Sequence, residues 1–380
     1  MAAQVEKEYL DWPDAARGLS ILGVLFLHAT LVVPNGLESW PAKVNAFLDP
    51  MRMPLFFVVS GFLAAKVLHF TLAELLFKRV WFILIPYAIW APVELWLKYV
   101  EWHKFLADPE PTWDIVFKTV LEGSTLMWFL YCLVVVTIIA WATRALATPW
   151  VFVLSVLPLC ALLIEERPVI VNHVALYLPI FLIGVRCKPA ISYFTKNAFH
   201  PLALALTALT YAGSRKLDLL WIHQWSVDFV GWPLWSDHVL GFYEAELLVK
   251  LPVRVLTLPA ALLLAVAIAK LPAVFPVLRF FGRNTLVLYI GHGFGLTLLF
   301  CFPFLFRGLP FEIGAQNPLH NATVWVWMCV VFSLVGGVAF HLISKIPVLG
   351  WSVKPPAVYQ QLLAILGQQS EPAHRRLLLR

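Results

Sequence analysis

DAARGLSILGVLFLHAT, residues 14–30, reads from Gly18 onward as a membrane-spanning helix, yet an Asp, an Arg and a His are set into it. Ionisable side chains in hydrocarbon cost roughly 2.5–3.5 kcal/mol each on insertion scales, so their presence calls for a function. With about 100° per residue, Arg17 and His28 fall within about 20° of each other and Asp14 about 40° from His28. All three therefore share one stripe, with Arg17 and His28 about 16 Å apart along the axis. Asp14 and Arg17 also suit an interfacial ion pair, and His28 a hydrogen-bonded core histidine. A titratable imidazole at that depth equally suits proton transfer.

Composition places this helix in a membrane protein. Of 380 residues, 61% are hydrophobic and only 13% charged, with a mean hydropathy of +0.81. A soluble domain has no place for so much apolar surface, whereas a bilayer does. The 17 Trp fit interfacial belts. The five cysteines lie in or beside apolar runs without a C-x-x-C, so neither a disulfide framework nor a zinc site follows. Nothing suggests a metal or a nucleic acid. The opening MAAQVEKEYLDWPD carries no cleavage signal and reads as a cytoplasmic leader into a retained helix.

Apolar stretches long enough to cross predict an all-α polytopic membrane protein with about ten transmembrane helices around an intramembrane cavity. They lie near 15–34, 53–70, 80–98, 125–143, 149–165, 172–187, 198–214, 250–270, 284–306 and 322–344. The third is interrupted by prolines in FILIPYAIWAPVEL, and the longest polar excursions are 99–124 and 215–248. Most Lys and Arg fall on one side if both termini are cytoplasmic, which is the orientation that the positive-inside rule favours. Residues 1–350 then form the transmembrane domain and 351–380 a cytoplasmic tail.

Other spans carry polar groups too. Arg52 opens DPMRMPLFFVVSGF, and Lys78 and Arg79 precede the third span in FKRVWF. Snorkelling and inner-surface anchoring account for these, as does binding of an anionic nucleotide at the basic pair. Glu122, Trp128 and Tyr131 enter the fourth span through LEGSTLMWFLYCL. Arg283, Tyr289 and His292 lie in FGRNTLVLYIGH. Each has a bland reading (solvated carboxylate, belt aromatic, core histidine), but together they suggest a shared interior cavity.

These motifs, in this order, resemble the acyltransferase family 3 membrane enzymes. The resemblance rests on D-x-x-RG-x-x-I-x-G-V-x-x-x-H over Asp14–His28, RMPLFFVVSGF over Arg52–Phe62, the basic pair before a Pro-containing span, and E-x5-W-F-L over Glu122–Leu130. YLPIFLIG over Tyr177–Gly184 and RNTLVLYIGH over Arg283–His292 complete it. It implies transfer of an acetyl or succinyl group from cytoplasmic acyl-CoA to a hydroxyl of an envelope carbohydrate or glycolipid. His28 is then the general base, assisted by Glu122. The family's R-x-x-R before the third span finds Arg79 at its first position but Phe82 at its second.

On this reading Asp14, Arg17, Lys78, Arg79 and Arg283 hold acyl-CoA, and Arg52, Trp128, Tyr131, Tyr289 and His292 meet the acceptor or the oxyanion. Acetyl-CoA is the co-substrate. LDWPDAARGLSILGV and LDPMRMPLFFVVSGF are most similar to the trehalose monomycolate acetyltransferases, which would place the chain in a bacterial plasma membrane beside an envelope lipid exporter. Periplasmic glucan succinyltransferases are the alternative within the family, and no hydrolase-like domain follows the tenth span. A proton-coupled transporter or flippase is the competing class, since it too requires buried charges and broken helices.

Overall fold

The computed structural model describes residues 10–359 except 107, 109, 165, 228, 236–237 and 306–308. The leader up to residue 9 and the tail from 360 onward lie outside the described residues.

The first helix, α1 (Trp12–Val32), starts where Pro13 supplies its fixed φ and Asp14 puts a carboxylate against the positive helix end. α2 (Trp40–Ala64) is capped by Ser39, whose hydroxyl accepts the Ala42 N–H. A single turn, α3 (Leu72–Leu75), runs through a π-helical stretch into α4 (Trp81–Leu106). Pro86 and Pro92 do not break α4, contrary to the sequence expectation. Neighbouring helices satisfy or shield what a proline frees in a membrane helix. α5 (Trp113–Glu122) ends at Gly123, whose φ of +73° is the left-handed cap that glycine adopts freely. There follow α6 (Trp128–Ala142), α7 (Thr148–Ser155), α8 (Val169–Arg186), α9 (Lys188–Lys196) and α10 (Pro201–Leu220). A short antiparallel hairpin, β1 (Trp232–Trp235) and β2 (His238–Leu240), occupies the second polar excursion. α11 (Phe242–Leu256), α12 (Leu258–Ala269), α13 (Phe275–Arg283), α14 (Thr285–Leu296) and α15 (Ala322–Ile343) complete the bundle.

All ten expected segments are helical, but they do not all qualify as spans. Among the described residues, six helical segments are long and apolar enough to cross a membrane, and a seventh counts if α11 and α12, bent by 44° at their junction, form one span. The remaining three fall short of that length and composition. α6 has 15 residues, short of the roughly 20 that a bilayer requires. α7 gives way to a 3₁₀ stretch after eight residues. α10 ends in Arg215, Lys216 and Asp218.

Helix contact here depends on small residues, because lipid supplies no hydrophobic drive for one helix to seek another. A methyl group on Gly282 would stand 2.0 Å from the Asp14 carbonyl oxygen, so α1 and α13 touch backbone to backbone. Gly291 and Gly336 bring α14 and α15 together in the same way, with a methyl on Gly291 reaching 2.4 Å from the Gly336 carbonyl. Between these seams lies an aromatic core in which Phe57 stacks on Tyr177 at 4.4 Å and meets Phe129 edge-on at 4.8 Å. The start of the predicted tail is docked: Trp81 and Trp90 of α4 donate their indole N–H groups to the Pro356 and Ser352 carbonyls, and Val353 is fully buried.

Candidate active site

The contact of α1 with α13 sets Arg283 beside Asp14. The Asp14 side chain is 3% exposed and its carboxylate binds both Arg17 and Arg283, the latter at 3.0 Å. Arg79 lies close enough for its charge and that of Arg17 to act on each other, and its Nε has no partner among the described residues. Two guanidiniums thus share one carboxylate with a third close to Arg17, a grouping of cations suited to phosphate oxygens. Lys78 does not join them. It pairs with Glu74 at 2.7 Å on an exposed face and lies over the Tyr359 ring.

Replacing Asp14 by Asn removes the carboxylate that the arginines share and leaves them facing one another. The expected cost is about 2 kcal/mol, the scale of a hydrogen bond to a charged group, moderated by the exposure of the arginines. A lowered thermal unfolding midpoint in detergent checks this, and an unchanged midpoint contradicts it.

Further along α1, His28 lines two of three neighbouring chambers. Chamber one, about 420 Å³, is lined by His28, Arg52, Trp128 and Tyr289, which are four of the expected site residues, and by His173 and Arg254. Chamber two, about 440 Å³, shares Leu27, Asp49, Arg52, Glu246 and Lys250 with it. Chamber three, about 310 Å³, is lined by His28 together with Glu94, Lys98, Ser124, Thr125 and Gly293. His28 alone belongs to both chamber one and chamber three. An imidazole held between two ligand-sized spaces can pass a proton between groups arriving from either.

The walls of chamber one suit a polyhydroxylated ligand. Trp128 stacks on His173 at 3.9 Å, with Tyr177 5.6 Å from Trp128, so the indole forms part of a continuous aromatic face. Arg52 is only 6% exposed and donates to Asp49 at 2.7 Å and Asn45 at 3.3 Å, leaving its Nε unpartnered. Arg254 lies over the Tyr177 ring, and its Nη1 and the Nδ1 of His173 are also unpartnered. Buried donors without partners cost free energy unless a ligand or water meets them.

His292 is fully buried, with its ring centroid 5.1 Å from that of His28. Its Nδ1 lies 2.6 Å from the Tyr289 carbonyl oxygen, which can only accept. The proton therefore sits on Nδ1, and Nε2 is an acceptor without a partner. Tyr289 reaches the wall of chamber one, but its hydroxyl donates to the Leu126 carbonyl at 2.8 Å and accepts the Phe129 N–H. Tyr131 stacks on Tyr87 at 5.3 Å and is not on these walls.

Glu122 is likewise outside the walls of all three chambers. It is the last residue of α5, and its carboxylate faces Lys118 at 3.9 Å. The turn at Gly123 then carries Ser124 and Thr125 to the wall of chamber three. The carboxylate on that wall belongs to Glu94 of α4, which is 5% exposed, with Oε2 lacking a partner among the described residues. Gly293, the residue after His292, lies beside the Glu94 carboxylate, and a methyl group on it would stand 2.5 Å from Leu126 Cδ2. The signal for Glu94 was present in the sequence: it is the lone acid in FILIPYAIWAPVEL.

A model of the acyltransferase domain family matches residues 10–343. No curated protein and no solved structure matches the chain.

Proposed function

The chain belongs to the acyltransferase domain family, matched over residues 10–343, and on that premise we propose that it moves an acetyl group from cytoplasmic acetyl-CoA to a hydroxyl of a cell-envelope glycolipid. Trehalose monomycolate is the first acceptor to try, in a bacterial plasma membrane with an envelope lipid exporter as partner. The observation that carries this reading is the layout of α1. It has a cationic cluster at Asp14 and Arg17 and, about 16 Å further on, a histidine at the meeting of two chambers.

Arg17, Arg79 and Arg283 take the phosphates of acyl-CoA, and its pantetheine arm carries the thioester towards His28. The acceptor hydroxyl enters through chamber one. His28 removes the hydroxyl proton as the oxygen attacks the thioester carbon. The tetrahedral oxyanion is met by a cation of chamber one, for which Arg52 and Arg254 on its wall are suited. Collapse breaks the carbon–sulfur bond, and His28 returns the proton to the leaving thiolate. Glu94 supports the imidazolium from chamber three, a role that the resemblance gives to Glu122. Succinyl is the second reading of the donor. Arg254 favours it, because among the described residues no carboxylate pairs with this cation of chamber one, so it could hold a succinyl carboxylate.

Vesicles containing the protein, given labelled acetyl-CoA on the cytoplasmic side and extracted envelope lipids, are expected to carry label into a glycolipid with equimolar release of free CoA. Movement of glycolipid across the membrane with no need for acyl-CoA would replace this reading by a transporter. Label from succinyl-CoA alone would decide the donor.

A further inference from the structure

Chamber two has no part in the chemistry above, since His28 is not on its wall. It nevertheless adjoins chamber one, with which it shares five wall residues. Each is of ligand size. Arg52, buried and with its Nε unpartnered, stands where they join.

The charges of chamber two balance. Arg52 pairs with Asp49 at 2.7 Å, Lys250 with Glu246 at 2.7 Å, and Arg215 with Asp218 at 2.8 Å. Three cations against three carboxylates give a polyanion no net attraction. Leu37, Ala46, Pro50 and Ile222 make part of the wall apolar, but an alkyl chain filling the chamber would also cover six charged side chains and strip them of solvent without compensation. A neutral polyol is the complementary ligand, because ion-paired carboxylates keep spare lone pairs for hydroxyl donors and arginine keeps spare N–H groups for hydroxyl acceptors. At the far end Trp221 and Phe242, with ring centroids 5.4 Å apart, add aromatic surface to the wall.

Building on the acyltransferase reading, we propose that chamber two is a second acceptor subsite, which holds the sugar ring next to the one that is acylated. The acceptor headgroup is therefore at least a disaccharide, with its reacting hydroxyl on the ring in chamber one.

The test is a binding titration that needs no acyl donor, so that it can fail or succeed apart from the acyltransferase reading. Protein in nanodiscs is titrated with glucose, trehalose, maltose and cellobiose, following intrinsic tryptophan fluorescence. At least one disaccharide is expected to bind about tenfold more tightly than glucose, the worth of one or two added hydrogen bonds. The paired change Arg215→Ala with Asp218→Ala removes both charges together and leaves neither stranded. It is expected to bring disaccharide affinity down to that of glucose while glucose affinity stays unchanged, which also reports an intact fold. Equal affinity for one ring and two in the native protein overturns the proposal. So does equal weakening of both by the paired change. Disaccharide binding with no acyl transfer would uphold the subsite and reject the acyltransferase.

Discussion

His28→Ala is expected to lower acyl transfer by about 10²–10⁴-fold, the usual contribution of a positioned general base, with acyl-CoA binding retained. The two effects separate because of distance. The Asp14, Arg17, Arg79 and Arg283 cluster lies about 16 Å along α1 from the imidazole and owes nothing to it structurally. Chambers one and three lose only one wall residue, so acceptor affinity should change little. Transfer kinetics in nanodiscs, with CoA binding measured by titration, check both halves. Normal turnover in the variant would remove His28 from the mechanism, and loss of CoA binding along with activity would point to a structural defect instead. Added imidazole extends the test. Partial rescue of the alanine variant supports a base, whereas an acylated wild-type enzyme trapped without acceptor would make His28 a nucleophile.

Much of this arrangement was legible in the sequence because helical periodicity places residues on a stripe without reference to tertiary structure. Asp14, Arg17 and His28 could be aligned from spacing alone, and the structure brings Arg283 to the same cluster. Arg52, Trp128 and Tyr289 likewise meet around a chamber that contains His28. What was not legible depends on neighbours. The count of spans turns on where a helix stops, and α6, α7 and α10 end short of or outside an apolar span for local reasons that hydropathy averages away. His173, Arg254 and Lys250 come from α8 and α11, elements whose approach to α1 and α2 no single-sequence pattern announces. The approach of α8 to α2 rests on a close seam at Gly61 and Gly184, and a glycine in an apolar run does not declare which backbone it will touch.

Glu122 is the instructive case. The resemblance, through its E-x5-W-F-L motif, pointed to Glu122, but α5 is a separate helix whose end turns Glu122 toward Lys118. Glu94, by contrast, lies on the wall of chamber three with His28. If a carboxylate supports the imidazolium there, Glu94→Gln keeps the shape of the chamber and deletes the charge. It should then lower kcat by about 10²-fold, the low end of what acid–base machinery contributes, with KM for both substrates little changed. Glu94→Asp should recover part of the activity, which a purely packing role would not allow, since shortening the side chain harms packing more than the isosteric amide does. The pH profile offers an independent readout. Lys98, Glu101, Tyr289 and His28 are ionisable groups near Glu94, and removing its charge should shift the profile limb assigned to His28. Glu122→Gln, tested beside it, is expected to cost less than tenfold, because a partly exposed carboxylate 3.9 Å from Lys118 is screened by solvent. The reverse order of effects would return the supporting role to Glu122 and require α5 to rearrange when substrates bind. With Glu94 as the partner, chamber three serves as the charged backing of the base, while chambers one and two receive the acceptor.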